Sequence, residues 1–171
     1  MLLISIIVIS IIGTLSHFLY DISNHNKILG LFTAVNESTW EHIKIALTPT
    51  FLWSLVDGYI YGSNPNYFLA KLISIVIIII IIPLLFYGYK IFFKKDNAIF
   101  NIFIFYIAII LSQLGFKYII NIDKVNYTTN YISIILLSIL FIGYLIHTMF
   151  PGKNFIFKDP LTHKFGYNAH K

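Results

Sequence analysis

Seven residues able to carry acid–base or ligand chemistry gather at three places along the chain: His17, Asp21 and His25; Glu37, Glu41 and His42; and His147. His17 and Asp21 are four apart, so on a continuing helix they share a face, with His25 one turn further on. Glu37 and Glu41 repeat that spacing, and His42 is rotated by about 100° from Glu41 at 3.6 residues per turn. Carboxylates and imidazoles that converge from different helices are how helical bundles build metal sites. Because Cys is 0, thiolate chemistry is excluded, and any such site is nitrogen- and oxygen-ligated, suited to a divalent ion such as Zn or Mn. The expected ligands are His17, Glu41, His42 and His147. Glu37 and Glu41 are the candidates for catalytic roles, as ligand or as general base toward a metal-bound water. Asp21, Asn36 and Asp159 are expected to orient the ligands from behind.

Plainer readings stand beside these. Ser38-Thr39-Trp40-Glu41 fits a capping box, with Ser38 capping a helix and Glu41 reaching back to a free backbone amide. That accounts for Ser38 and Glu41 but not for Glu37, His42 or His17. A single interfacial histidine such as His147 also serves as a hydrogen-bonded structural residue, and Asp57 reads as an acid that snorkels to the far surface. Ser38 with His42 makes a poor nucleophile and base, because a capping hydroxyl is already engaged and no oxyanion hole adjoins it. Neither a Gly-rich phosphate cradle nor a G-x-S-x-G elbow occurs.

The elements that must position these residues follow from composition. With 58% hydrophobic, 18% aromatic and only 11% charged residues and a mean hydropathy of +0.81, the chain is not a soluble domain, for which about 25% charged is usual. A bilayer-crossing helix needs about 20 mostly apolar residues. Five stretches qualify: Met1–Tyr20, Ile45–Tyr61, Phe68–Phe93, Ala98–Ile120 and Tyr131–Phe150. The first has no basic residue ahead of it and no small-residue cleavage site, so it reads as a retained span rather than a signal peptide. The second is the weakest by hydropathy, interrupted by Pro49 and carrying Asp57. Short polar connections join the spans, and a polar tail follows Pro151 and Gly152. The expected architecture is therefore all-α, a polytopic helix bundle over residues 1–150 with a tail over 151–171.

All 12 basic residues are lysines, and without Arg the chain lacks the usual bidentate clamp for phosphate, so nucleic-acid recognition is not expected. Of those 12, only Lys71, Lys117 and Lys124 fall on the side of the second and fourth connections. By the positive-inside rule the N-terminus is then outside, the C-terminus is cytoplasmic, and the ionisable cluster faces the cytoplasm.

Three segments, His17-Phe18-Leu19-Tyr20-Asp21, Val35-Asn36-Glu37-Ser38-Thr39-Trp40-Glu41-His42 and Lys158-Asp159-Pro160-Leu161-Thr162, together resemble an uncharacterised family of small multi-pass bacterial membrane proteins, a domain of unknown function. The resemblance implies a multi-pass protein of the bacterial plasma membrane and no particular reaction. In such proteins the tail continues into a Gly and a Tyr-Gly pair, whereas here those places hold His163 and Phe165-Gly166. Two functions are then expected as alternatives: a cytoplasm-facing, metal-dependent hydrolase or transferase acting on a lipid-linked substrate, or a non-enzymatic small transporter or partner-docking subunit.

Overall fold

A computed structural model describes residues 1–93 and 97–169. Lys94, Lys95 and Lys171, counted among the lysines above, lie outside the described residues. Among the described residues there are five long helices: α1 (Leu2–Ile22), α2 (Thr39–Tyr61), α3 (Tyr67–Phe92), α4 (Ala98–Ile120) and α5 (Tyr127–Met149). Four of them, α1, α3, α4 and α5, are long and apolar enough to cross a membrane. Their outward side chains are apolar, as at Leu15, Ile91 and Ile135, while hydroxyls turn inward, as where Ser74 meets Ser112 at 2.7 Å between α3 and α4. In lipid that inversion is expected, because apolar surface gains little by leaving the acyl chains and small or polar residues do the helix-to-helix packing.

α2 is the polar exception, and it is also the most enclosed at its start: every residue from Glu41 to Thr50 is buried. At 23 residues it is about 35 Å long at 1.5 Å per residue. It packs against α1 and α3 and meets α5 through Phe51 on Phe141, ring centroids 5.1 Å apart. The expected interruption at Pro49 does not occur, since α2 runs through it. A proline inside a helix frees the carbonyl four residues earlier, here Ile45. That oxygen lies 2.7 Å from where a Cβ on Gly13 would sit, and the Phe105 ring lies 2.5 Å from the same point. Glycine at 13 therefore lets α1, α2 and α4 meet closely.

Asp57 does not snorkel. It is 3% exposed and its Oδ2 accepts from Lys71 Nζ on α3 at 2.5 Å, on the face of α2 turned to α3, while Leu55 and Tyr59 on either side stand 77% and 93% exposed. α5 begins four residues earlier than expected, at Tyr127, because Asn126 caps it by accepting from Thr129 N at 2.8 Å.

The connections sort into two polar ends. At one end Asn66 donates to the carbonyls of Ile119 and Ile122 and accepts from Val125 N, joining the 62–66 and 121–126 turns. At the other, the 23–38 loop and the tail interlock, and the tail packs on the helix ends. Tyr167 OH donates to Lys27 O at 2.9 Å. Burial raises the Tyr167 hydroxyl above its ordinary value, with Tyr20 and Glu41 adding to the shift, so it remains a neutral donor. His163 has φ 60°, the left-handed region that favours glycine, which gives a physical reason for the Gly at that place in the proteins the tail resembles.

Candidate functional site

Helix α1 ends where Asn24 and His25 turn left-handed, at φ 55° and 62°. The chain then doubles back through a 3₁₀ turn, Leu29–Leu31, so that residues 34–38 lie beside the last turns of α1. Glu37 thereby arrives next to His17, and the first turn of α2 brings His42 to its other side. His17 Nε2 lies 3.8 Å from Glu37 Oε1, and His42 Nε2 lies 3.8 Å from Glu37 Oε2. The two imidazole centroids are 5.9 Å apart. One ligand atom from each of the three falls within 4.8 Å of the other two.

The donor set suits a divalent ion. A tetrahedral site with bonds of about 2.0–2.1 Å holds its ligand atoms roughly 3.3 Å apart, so sub-ångström side-chain movement closes this one. His42 Nδ1 lies 3.0 Å from Ser38 O; donation there leaves Nε2 as the ligating nitrogen, the backbone-oriented arrangement usual for metal-bound histidine. His17 Nδ1 is buried with no hydrogen-bond partner.

Two cavities meet at this trio. One, of about 290 Å³, is the more polar of the two and lies between the end of α1, the 34–37 loop and the tail; His17, Asp21, Asn36, Glu37 and Asp159 are among the residues that line it. The other, of about 350 Å³, is mainly apolar and runs between α1 and α4; His17, Glu37 and His42 close its top. His17, Phe18 and Glu37 belong to both.

The remaining sequence candidates are placed around the trio. Glu41 points the other way: its Oε2 lies 2.6 Å from Lys44 Nζ and accepts from Val35 N at 3.0 Å. Lys44, 1% exposed, also donates to Gly30 O at 2.8 Å. This buried pair stitches the 30–35 loop to α2 and so sets the position of Glu37. No capping box forms, since Ser38 occupies the N-cap position without a side-chain cap bond and Glu41 is taken by Lys44. The tail caps α2 instead: Trp40 N donates to Ile156 O at 3.0 Å, and Glu37 N to Asp159 Oδ2 at 3.1 Å.

Asp159 is a clamp, its other oxygen accepting from Leu161 N and Thr162 N at 2.6 and 2.9 Å. Asn36 accepts from Ser38 N and donates to Gly166 O, pinning loop to tail. Asp21 faces His25 at 3.6 Å rather than His17. His147 lies apart from the trio, its ring between Trp40 and Phe157 at 5.7 and 5.4 Å.

Sequence reasoning missed Lys44 and Lys71 as buried ion-pair partners. The i,i+3 spacing of Glu41 and Lys44 was a local signal for the first; Lys71 pairs across helices and left none.

A family model described as a family of unknown function, DUF6512, matches residues 1–167. No curated protein and no solved structure matches the chain.

Proposed function

We propose that this chain, which belongs to that family of unknown function, is a five-crossing protein of the bacterial plasma membrane whose cytoplasmic end holds a divalent zinc or manganese ion on His17, Glu37 and His42 for hydrolysis or group transfer. Support for five crossings comes from the alternation of the described connections between two polar ends, with the first half of α2 enclosed by helices that can face lipid. The lysine asymmetry supports an outside N-terminus and a cytoplasmic tail.

One observation carries the chemistry. Two imidazole nitrogens and a carboxylate converge within 4.8 Å at the wall of an open polar cavity. A three-ligand set with its fourth position toward a cavity is the arrangement of catalytic rather than structural zinc, which is closed by four protein ligands. An ion so held lowers the pKa of a bound water toward neutrality and polarises a carbonyl or phosphoryl oxygen. Asp21, which lines the same cavity and faces His25 at 3.6 Å, is the carboxylate we assign to take a proton from that water. Glu41, expected from sequence as a ligand, acts in this reading through the loop that carries Glu37.

The transport alternative has less behind it. Asp57 and Lys71 are paired with each other in the opposite half and offer no free charge to a solute. The test is metal content and metal-dependent hydrolysis of ester and phosphoester probes by purified protein, compared between wild type and His42→Ala. A stoichiometric ion lost from a folded variant is the expected result; an ion-free wild type that fails to take up added Zn or Mn overturns the reading.

A further inference from the structure

The two cavities that share His17, Phe18 and Glu37 differ in chemistry, and their order along the membrane normal matches the order of parts in a lipid. Among the described residues the upper one is lined by Asp21, Asn36, Asp159 and Thr162 beside Ala34, Val35, Leu161 and Ala169, and by no lysine. Away from the proposed ion at the trio, carboxylate, amide and hydroxyl groups with no Lys or Arg side chain among the described residues suit hydroxyls, which both donate and accept, better than a phosphate, which is usually met by Lys or Arg.

The lower cavity is lined by Thr14, Ile45, Ile102, Phe105 and Tyr106. Its floor is the close approach at Gly13, where the Phe105 ring and the Ile45 carbonyl leave no room for a Cβ. From Ala98 to Phe105 the α4 wall runs about 10 Å at 1.5 Å per residue. Its flank is open, with Phe18 56% and Ile102 53% exposed on the side that faces acyl chains. Thr14 Oγ1 and Tyr106 OH satisfy each other at 3.1 Å, so the polar atoms at its depth are already paired.

We infer that the site takes a bilayer lipid with a hydroxyl-bearing head, of the glycerol or sugar class, its head in the Asp21–Asn36–Asp159 cavity and one acyl chain between α1 and α4, entering past Phe18 and Ile102. This rests on the proposed reactive trio and names its substrate class. The junction of head and chain then falls at Glu37, beside the proposed ion.

The test uses full-chain protein in phosphatidylcholine vesicles carrying a monoacylglycerol with a photoreactive diazirine on its chain. Labelling is mapped by mass spectrometry and repeated after chelator treatment. Adducts concentrated on residues 14–18 and 98–106 are expected, falling at least fivefold in Ile102→Trp and unchanged in Leu111→Trp, a lipid-facing control on the same helix. After chelator treatment, competition by unlabelled monoacylglycerol, and weaker competition by the matching single-chain phosphate, is expected from a head cavity whose described lining holds no lysine.

Adducts scattered over the lipid-facing surface, or undiminished in Ile102→Trp, overturn the inference; equal or stronger competition by the phosphate overturns the head class. Focused labelling in protein that binds no metal leaves the lipid site standing while the metal reading fails. A bound metal with scattered labelling does the reverse.

Discussion

Nε2 of His42 lies 3.8 Å from Oε2 of Glu37, although the first belongs to α2 and the second to the loop before it. His42 Nδ1 lies 3.0 Å from Ser38 O, which fixes the ring so that Nε2 looks toward the carboxylate. With His17 on the opposite oxygen, Glu37 stands between two imidazoles, an arrangement completed either by a proton or by a cation. Glu37 is thus the residue on which the chemistry turns. Glu37→Gln is expected to abolish metal uptake with little change in thermal unfolding, because its carboxylate is part-exposed and its structural bond to Asp159 is made by its backbone N–H. Retained metal in that variant would count against the assignment.

Glu41→Gln is expected to behave differently. It strands Lys44 Nζ, 1% exposed, and breaking a buried pair from one side costs about 3–5 kcal/mol. Unfolding in detergent should shift to markedly lower temperature, and Glu41→Gln with Lys44→Met should recover part of the loss. An additive double variant would show that the two side chains act independently.

Gly13→Ala tests the three-helix contact. The added methyl meets the Phe105 ring and the Ile45 carbonyl, and overpacking typically costs about 1–3 kcal/mol. Gly88→Ala meets nothing within 4 Å and serves as the control, with unchanged melting expected.

How far the sequence carried these conclusions differs between fold and site. The long apolar runs made α1, α3, α4 and α5 plain, since twenty apolar residues in a row have few other uses. α2 was less legible because its apolar pattern is diluted by Thr48, Pro49 and Asp57, and only its neighbours show that its first half is enclosed. His17 and His42 could be read as ligand candidates from type and position. Which glutamate joins them could not, because Glu37 and Glu41 are equivalent by spacing and the choice is made by Lys44 and by the path of the 23–38 loop. Asp159 could be named as a residue that orients the ligands, but its bond to the Glu37 backbone could not be read, since it depends on the tail folding 122 residues back onto Glu37.

The tail supplies its own prediction. Asp159 accepts three backbone N–H bonds, from Glu37, Leu161 and Thr162. Each typical bond is worth about 0.5–1.5 kcal/mol, more when the acceptor is charged, so Asp159→Ala should release the tail and speed proteolysis after Pro151. His163→Gly should act oppositely, because a left-handed φ of 60° costs an L-residue about 1–2 kcal/mol. Slower cleavage is expected there, and faster cleavage would argue against a conformational role for that place.

The most direct test of the metal-bearing trio is elemental analysis of purified wild-type protein beside His17→Ala, His42→Ala and Glu41→Gln/Lys44→Met, each checked for folding. The expected result is about one zinc or manganese per wild-type chain, lost in both folded histidine variants and kept in the pair replacement. A wild type without metal that also fails to take up added Zn or Mn, or one whose metal survives loss of both histidines, would contradict the account.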